Sequence, residues 1–311
     1  MAIIGTSKKL PKPMKIALLT GKPTDVTAGN YNDYAFITAA KNRGHEIHTL
    51  VSGQQSVAAN PADIPLKASP LDFDALIPRL KTHDFEAGCV ALSGYQAQGV
   101  YCLNSPAALH LARRKFQCLQ VLARHHLPIP RTLWLPTEAD LCSFMEITGS
   151  QQLIIKTNLG SIGKGVMLAE SLGQVRALID YLHAVHEPFF IQEFIAESAG
   201  QDMRALVLDG QIIGAVKRQA NAPGEFRSNI SRGGMAGKIT LSPQQQQLAL
   251  DAAKAVGLTF AGVDLIESAD QTYVLEVNGN PGFQAVDQVY NCQTAEKVIA
   301  FIEQHVAANA T

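Results

Sequence analysis

The sequence lacks the features that mark several large protein classes. Its five cysteines are odd in number and form no C-x-x-C pair, which argues against a thiol redox motif or a cysteine-based zinc site and favours reduced, mostly buried thiols. The 26 basic and 27 acidic residues leave a net charge of −1, so the overall charge favours neither nucleic acid nor a membrane surface as a partner. No run reaches the ~20 apolar residues of a membrane span. We expect a cytoplasmic protein.

Several catalytic signatures are also missing. Neither a G-x-S-x-G nucleophile elbow nor an H-E-x-x-H zinc motif occurs, so the sequence gives no sign of a serine hydrolase or a zinc protease of that type. A Walker A loop is excluded because Lys164 is followed by Gly165 where Ser or Thr is required. The G-x-G-x-x-G dinucleotide spacing is absent as well.

The chain is long enough for two or three lobes, and its hydrophobic content of 47% indicates a globular protein. Apolar strands alternate with helical patterns from Lys15 onward, which predicts an α/β opening with parallel strands. Later runs are joined by short turns, which predicts α+β lobes with antiparallel sheets. The predicted division is a loose leader at 1–13, an α/β lobe at 14–104, a linking helix and small lobe at 105–195, and a C-terminal lobe at 196–311.

A hairpin near the end of the chain carries two acidic residues. The strands "FAGVDLIES" and "TYVLEVN" are joined by a short turn, so Asp264 is expected to lie across from the strand that holds Glu276 and Asn278. Residues i and i+2 of a strand share a face, which places Glu276 and Asn278 side by side. Such oxygen ligands suit Mg²⁺. The alternative is that Asp264 is a solvated acid beside the turn and Glu276 an outward-facing strand residue.

A second pattern suggests phosphate binding. The stretch "LIIKTNLGSIGKGV" ends an apolar strand with Lys156 and continues through Gly160, Gly163 and Gly165. Small residues let backbone N–H groups approach phosphate oxygens, and a strand lysine among apolar neighbours is costly to bury without an anion. The alternatives are a plain turn and an edge lysine whose ammonium reaches water.

Basic residues are concentrated between positions 202 and 238, where six positive side chains face three negative ones. Arginines in "FRSNISRGG" have the fork geometry that binds phosphate or carboxylate. A solvated charged surface is the ordinary alternative. The basic members are Arg204, Lys217, Arg218, Arg227, Arg232 and Lys238.

Taken in order, these motifs resemble the ATP-grasp superfamily, and most of all its RimK-type branch of ribosomal-protein α-L-glutamate ligases. The resemblance rests on Lys115, the Lys156 glycine loop, "IQEFI", "FRSN" and the "AGVDL…LEVNGNPG" hairpin, and it runs from about Met14 to His305. It implies a three-lobed ATP-grasp fold with a pre-ATP-grasp α/β lobe in front. It also implies transfer of the ATP γ-phosphoryl group to a carboxylate, followed by amide formation with an amine.

The same resemblance implies a role for each motif residue. Lys115, Lys156 and the loop residues Gly160, Ser161, Gly163 and Gly165 would contact the nucleotide phosphates. The hinge beside adenine would consist of Gln192, Glu193, Phe194 and Ile195, and Asp202 would lie near the ribose. Arg227, Ser228 and Asn229 would line the phosphate end, with Arg218, Arg227 and Arg232 as the catalytic arginines. Two Mg²⁺ ions, or Mn²⁺ in their place, would be held by Asp264, Glu276 and Asn278.

The substrates stay open at this stage. In the first lobe, "IPRLKTHDFEAG" has Leu80 and Lys81 where the RimK branch usually has a small Gly-Thr turn, at a point where acceptor contacts are expected. The implied partners are ATP, an amino acid such as glutamate and a carboxylate acceptor, either a peptide C-terminus or a small acid. A glutathione-synthetase-like ligase, a hydroxyl kinase and a non-catalytic ATP-binding regulator are the alternatives, and homo-oligomers are left open.

Overall fold

The computed structural model describes residues 12–21, 30–59, 72–135, 137–160, 163–198, 200–222, 224–228 and 234–309. The chain divides into two compact units, one of Met1–Leu103 with Ala295–Thr311 and one of Asn104–Thr294. The leader expected at 1–13 falls almost entirely outside the described residues. The three-lobe division stays a prediction.

The first unit is built on a parallel sheet, as the alternation of apolar runs and helical patterns predicted. Its strands lie in the order β2-β1-β3-β4. Strand β1 is buried from Ile16 to Thr20 and β3 along its whole length, which matches continuous apolar runs covered on both faces. The elements are β1 (Lys15–Thr20), α1 (Tyr31–Asn42), β2 (Glu46–Val51), β3 (Ala75–Arg79), α2 (Phe85–Ala97) and β4 (Tyr101–Cys102).

The second unit begins with two short helices and a small sheet of order β5-β8-β6-β7. Ser105 caps the first helix by accepting from the Ala108 N–H, and Pro106 stands at its first position, as expected for a helix start. The elements are α3 (Pro106–Arg113), α4 (Lys115–Arg124), β5 (Thr132–Leu133), α5 (Leu141–Thr148), β6 (Leu153–Thr157), β7 (Val166–Ala169), α6 (Leu172–Ala184) and β8 (Phe189–Glu193).

Helix α5 starts later than its sequence pattern suggested. The segment "TEADLCSFMEITG" has the sequence pattern of a capped helix, but a 3₁₀ turn covers Glu138–Asp140 and the Thr137 side chain makes no cap bond. The α-helix proper begins at Leu141, which is buried in the small core beside Phe144. Burial of these two side chains therefore outweighs the local capping preference.

A five-stranded antiparallel sheet of order β11-β10-β9-β12-β13 forms the rest of the second unit. Asp209 and Gly210 both have positive φ, as a two-residue hairpin turn between β9 and β10 requires. Ser242 and Gln245 form a capping box at the start of α7. The elements are β9 (Gln201–Leu208), β10 (Gln211–Gln219), β11 (Met235–Lys238), α7 (Pro243–Val256), β12 (Phe260–Glu267), β13 (Thr272–Asn278) and α8 (Gln284–Tyr290).

The last helix, α9 (Thr294–Asn309), returns the chain to the first unit from Ala295 onward. Its Glu303 accepts from Arg43 Nε and Nη2, both at 2.6 Å, and lies 2.7 Å from His45 Nε2. The Met14 N–H donates to His45 Nδ1, so Nε2 carries the proton donated to Glu303. Within the described residues, no helix combines the length and apolar character needed to cross a membrane.

Candidate active site

The structure brings together the three side chains predicted as metal ligands. In the β12–β13 hairpin, Asp264 lies directly opposite Glu276, and Gly262 lies opposite Asn278. Residues paired in this way point to the same face of an antiparallel sheet. Asp264 is buried, Glu276 and Asn278 are half-buried, and Asn278 Oδ1 accepts the Asn280 N–H at 2.8 Å.

Asp264 is held by two arginines, one on the adjacent strand β9 and one on the next strand, β10. Arg204, its cross-strand partner on β9, donates from Nε and Nη2 to the two carboxylate oxygens, both at 2.7 Å. Arg218 on β10 donates to Asp264 Oδ2 at 2.8 Å and also makes a bidentate pair with Asp202. The result is a buried row of two aspartates and two arginines across three strands.

The row shifts the pKa of both aspartates, in opposite directions. Burial alone would raise the pKa of Asp264, but Arg204 and Arg218 outweigh that penalty and the pKa falls to about 2. Burial raises the pKa of Asp202, and the negative charge of Asp264 adds to the increase against the effect of Arg218. Asp264 is therefore the more firmly ionised carboxylate of the pair.

These oxygens form a donor set that fits a divalent cation. Mg²⁺ takes one or two carboxylates and completes its shell with waters and phosphate oxygens. Asp264 Oδ1 accepts one guanidinium N–H while Oδ2 accepts two, which leaves Oδ1 a further acceptor position. Among the residues described, no cluster of three or more His, Cys, Asp or Glu is placed to hold a metal, so a cation here would be held by the two carboxylates together with the Asn278 amide oxygen, waters and phosphate oxygens.

Lys156 is buried on β6, as its apolar neighbours predicted, and its partner in the structure is a side chain. Its Nζ donates to Gln192 Oε1 at 2.6 Å, and Gln192 Nε2 donates to Thr132 Oγ1 at 2.8 Å. Burial, with the positive charge of Lys115, lowers the pKa of Lys156 to about 7 despite the opposing effects of Glu276 and Asp264. Gln192, predicted as part of the adenine hinge, thus also orients a candidate phosphate ligand.

One cavity is lined by two of the candidate phosphate ligands and one candidate metal ligand. It is small and partly open to solvent. Three of its lining side chains are charged, namely Lys115, Lys156 and Glu276, and the others form an apolar wall. The remaining lining residues are Ala112, Cys118, Leu119, Leu122, Phe190, Leu275 and Val277.

The glycine loop is tight, and Lys115 lies beside it. A Cβ on Gly165, where φ is +73°, would lie 2.1 Å from Thr157 Oγ1, and one on Gly160 would lie 2.7 Å from the Lys164 carbonyl oxygen. A Cβ on Gly160 would also lie 3.8 Å from Lys115 Nζ. The close approach of a side-chain oxygen at Gly165 and of a backbone oxygen at Gly160 therefore favours glycine at both positions. Gly163 has a positive φ, whereas Ser161 lies outside the described residues.

The N-terminus of α4, where Lys115 begins the helix, is held by Asn158. The Lys115 N–H donates to the Asn158 carbonyl oxygen at 3.3 Å, and the Phe116 N–H donates to Asn158 Oδ1 at 3.1 Å. These bonds fix the helix start against the end of β6. Lys115 is thereby positioned next to the glycine loop through a residue that the sequence patterns did not single out.

The other predicted hinge and arginine residues have the following places. Glu193 accepts from the Arg131 N–H and side chain, Phe194 makes an edge contact with Phe226, and Ile195 is buried. Ser228 is buried against Asp202, and Arg227 binds Glu225. Asn229 and Arg232 lie outside the described residues, so their predicted roles stay predictions.

Asn104 supports both ends of the β12–β13 hairpin. Its Nδ2 donates to the carbonyl oxygens of Phe260 and Gly279 at 2.8 and 2.9 Å, and its Oδ1 accepts the N–H groups of Thr259 and Phe260 at 2.9 and 3.0 Å. One amide thus ties the start of β12 to the turn after β13. The sequence patterns gave no signal for Asn104, and they placed Arg204 only among the basic residues between positions 202 and 238, without its partner Asp264.

Comparison with known proteins gives consistent matches over nearly the whole chain. Residues 112–302 match the RimK-like ATP-grasp domain and residues 14–109 the RimK PreATP-grasp domain. A Legionella pneumophila (strain Corby) protein named "Probable alpha-L-glutamate ligase" is 38% identical over 295 residues, 94% of this chain and 96% of the relative. One of the same name from Trichodesmium erythraeum (strain IMS101) is 34% identical over 296 residues, 94% and 97% of the two chains.

A solved structure shares the fold at lower identity. The ATP-grasp ligase PsnB, complexed with a minimal precursor, aligns with a TM-score of 0.72 and 22% identity over 92% of this chain and 97% of that one. The predicted ATP-grasp fold with a pre-ATP-grasp domain is confirmed, and the family implies ATP and Mg²⁺. The chain belongs to the RimK-like ATP-grasp family and is an ATP-dependent carboxylate-amine ligase.

Proposed function

We propose that this ligase joins the amino group of L-glutamate to a carboxylate activated by ATP. The observation that carries the proposal is the placement of Asp264 opposite Glu276, with Glu276, Lys115 and Lys156 around one cavity. That set has oxygens for a cation and ammonium groups for phosphate, which is what phosphoryl transfer requires. The choice of glutamate is supported by the names of the relatives that cover 94% of the chain.

We assign the metal role to Asp264, Glu276 and Asn278, with two Mg²⁺ ions that Mn²⁺ can replace. When bound, the ions supply charge neutralisation on the phosphate chain. Arg204 and Arg218 hold the Asp264 carboxylate in place. Lys156 is aimed by Gln192, and Lys115 is fixed beside the glycine loop by Asn158.

The reaction proposed has two steps. An oxygen of the acceptor carboxylate attacks the γ-phosphorus, the bond to the β-γ bridging oxygen breaks, and ADP leaves with an acyl phosphate formed. The glutamate amine then attacks the acyl carbon, the C–O bond to phosphate breaks, and an amide, phosphate and a proton result. Lys115 and Lys156 bind the phosphate oxygens on which negative charge accumulates.

The acceptor is a peptide C-terminus or a small acid, and the first-lobe segment supports no finer choice. Leu80 is buried against Gly88 of α2, where a Cβ would approach Leu80 Cδ2 to 2.3 Å. The Lys81 N–H donates to Asp84 Oδ1 at 3.0 Å and closes a local turn. The departure from the usual Gly-Thr turn is thus explained in part by packing within this lobe.

The test is incubation of the purified protein with ATP, Mg²⁺, pooled amino acids and Glu-terminated peptides, followed by mass spectrometry. We expect ADP, a product enlarged by one glutamyl residue, and a hydroxamate when hydroxylamine is added. AMP with pyrophosphate would contradict the acyl-phosphate mechanism. Ligation of another amino acid in preference to glutamate would keep the mechanism and contradict the substrate, and ADP without hydroxamate would indicate a hydroxyl acceptor.

A further inference from the structure

The loop that follows β10 contains a local ion pair between Glu225 and Arg227, two residues apart in the sequence. Glu225 accepts from Arg227 Nε at 2.8 Å through Oε1 and from Nη2 at 2.8 Å through Oε2. Glu225 Oε1 also accepts the backbone N–H of Arg227 at 2.9 Å. One carboxylate therefore fixes both the main chain and the side chain of Arg227.

This Glu225–Arg227 clasp is seated on the large sheet. A Cβ at Gly200, where φ is +74°, would lie 2.5 Å from the Glu225 carbonyl oxygen, so the loop backbone packs where only glycine fits. Ser228 on the far side is buried and hydrogen-bonds to Asp202. The guanidinium of Arg227 lies over the Phe226 ring, 5.2 Å from its centroid. The clasp is thus supported on three sides.

The clasp presents the remaining edge of the guanidinium to the small sheet. Nη1 of Arg227 is 3.4 Å from the carbonyl oxygen of Val166 on β7. Val166 is the cross-strand partner of Lys156, which lines the cavity with Lys115 and Glu276. Arg227 is therefore directed to the strand that borders the candidate phosphate site.

We infer that Glu225 is a positioning residue, which holds Arg227 in the conformation that contacts the phosphate chain of ATP. A carboxylate that merely competed with phosphate for the guanidinium would need no bond to the Arg227 backbone N–H. The observed bond makes the clasp part of the loop structure. Ordering a long side chain on binding costs conformational entropy. Because Glu225 already orders Arg227, the nucleotide does not have to meet that cost when it binds.

The test compares the binding of a non-hydrolysable ATP analogue and of adenosine to four proteins by calorimetry. Glu225→Gln keeps the shape but removes the charge, and we expect analogue affinity to fall about three- to tenfold, the scale of ordering one long side chain. For Arg227→Met we expect a fall of about tenfold to a hundredfold. The double variant should bind like Arg227→Met alone, since Glu225 acts through Arg227. Adenosine binding should stay unchanged throughout.

A matched control removes a charge from an exposed ion pair. Arg176 Nε lies 3.1 Å from Glu138 Oε2, with side chains 50% and 38% exposed, and Glu138→Gln should bind the analogue like the parent protein. Glu225→Asp keeps the charge on a side chain one methylene shorter and should recover part of the affinity that Glu225→Gln loses. Thermal melting verifies that each variant is folded. Tighter analogue binding by Glu225→Gln, equal losses for adenosine, or additive losses in the double variant would each overturn the assignment.

Discussion

Nucleotide binding is expected to be coupled to protonation of Lys156. Lys156 is buried, with 9% of the residue exposed, and its ammonium lies near that of Lys115. These two causes lower its pKa to about 7, although Glu276 and Asp264 act in the opposite direction. A phosphate group next to Lys156 favours the charged form, so the bound state should hold a proton that the free protein lacks at alkaline pH.

The size of the effect follows from the pKa. At pH 8 about nine tenths of the free protein would have Lys156 neutral, so binding would take up about 0.9 proton, against about 0.1 at pH 6. Because the neutral form must first be protonated, apparent affinity would fall about fiftyfold between pH 7 and pH 9. An ordinary exposed lysine with a pKa near ~10.4 would give almost no change over this range.

The measurement is calorimetric titration with ADP in buffers of different ionisation enthalpy, because the slope of the observed heat against that enthalpy counts the protons exchanged. Lys156→Met should lose the uptake, and subtracting its slope removes protons that the nucleotide itself exchanges. Lys164→Met is the matched control, since Lys164 is exposed in the same glycine hairpin. Adenosine, which lacks phosphate, should show no uptake linked to Lys156.

Two results would refute this reasoning. Equal proton uptake by the parent protein and Lys156→Met at pH 8 would mean that Lys156 is already charged in the free protein. Affinity that stays constant between pH 7 and pH 9 would mean the same. In either case burial would be offset by Gln192 and Glu276 more strongly than the geometry indicates.

Three further predictions concern the β12–β13 hairpin and its proposed metal ligands. Glu276→Gln should abolish ADP formation while leaving the melting temperature within a few degrees, because it removes a half-buried charge without changing shape; steady-state turnover near the parent value would remove Glu276 from the metal site. Asn104→Ala should lower the free energy of unfolding by about 2–4 kcal/mol, because four buried backbone groups lose their partner; urea titration measures the change. Asp264, whose folded pKa is lowered to about 2, should contribute about 2–3 kcal/mol of stability above pH ~4 that is lost as pH falls toward 2; a stability difference from Asp264→Asn that grows on acidification would contradict it.

The hairpins and their registers could be predicted because their signals are local. Asp209 and Gly210 stand between two alternating runs, and both adopt the positive φ that such a turn needs. The same pattern, two apolar strands joined by a short turn, allows few registers and so predicted that Asp264 lies across from the strand of Glu276. The structure pairs these two residues directly. The buried position of Lys156 likewise followed from its apolar neighbours along the strand.

The partners of these side chains could not be predicted because they come from distant parts of the chain. Gln192 is separated from Lys156 by 36 residues and Arg204 from Asp264 by 60. A basic cluster in the sequence does not show which arginine meets which carboxylate, and the sequence pattern gave equal weight to Arg204 and Lys217. Asn104 gave no signal, since a single asparagine after a strand is common and its four bonds arise from tertiary packing.

The charges of the second unit are arranged so that the cavity responds to its ligand. Asp202, Arg218, Asp264 and Arg204 compensate one another within the sheet, and Arg227 is compensated by Glu225. The charged side chains lining the cavity are then Lys115, Lys156 and Glu276, whose sum is positive when Lys156 is protonated and zero when it is neutral. An anionic phosphate chain is therefore attracted to the cavity and favours the protonated form of Lys156, whereas the ion pairs behind it keep Asp264, the proposed metal ligand, charged and fixed.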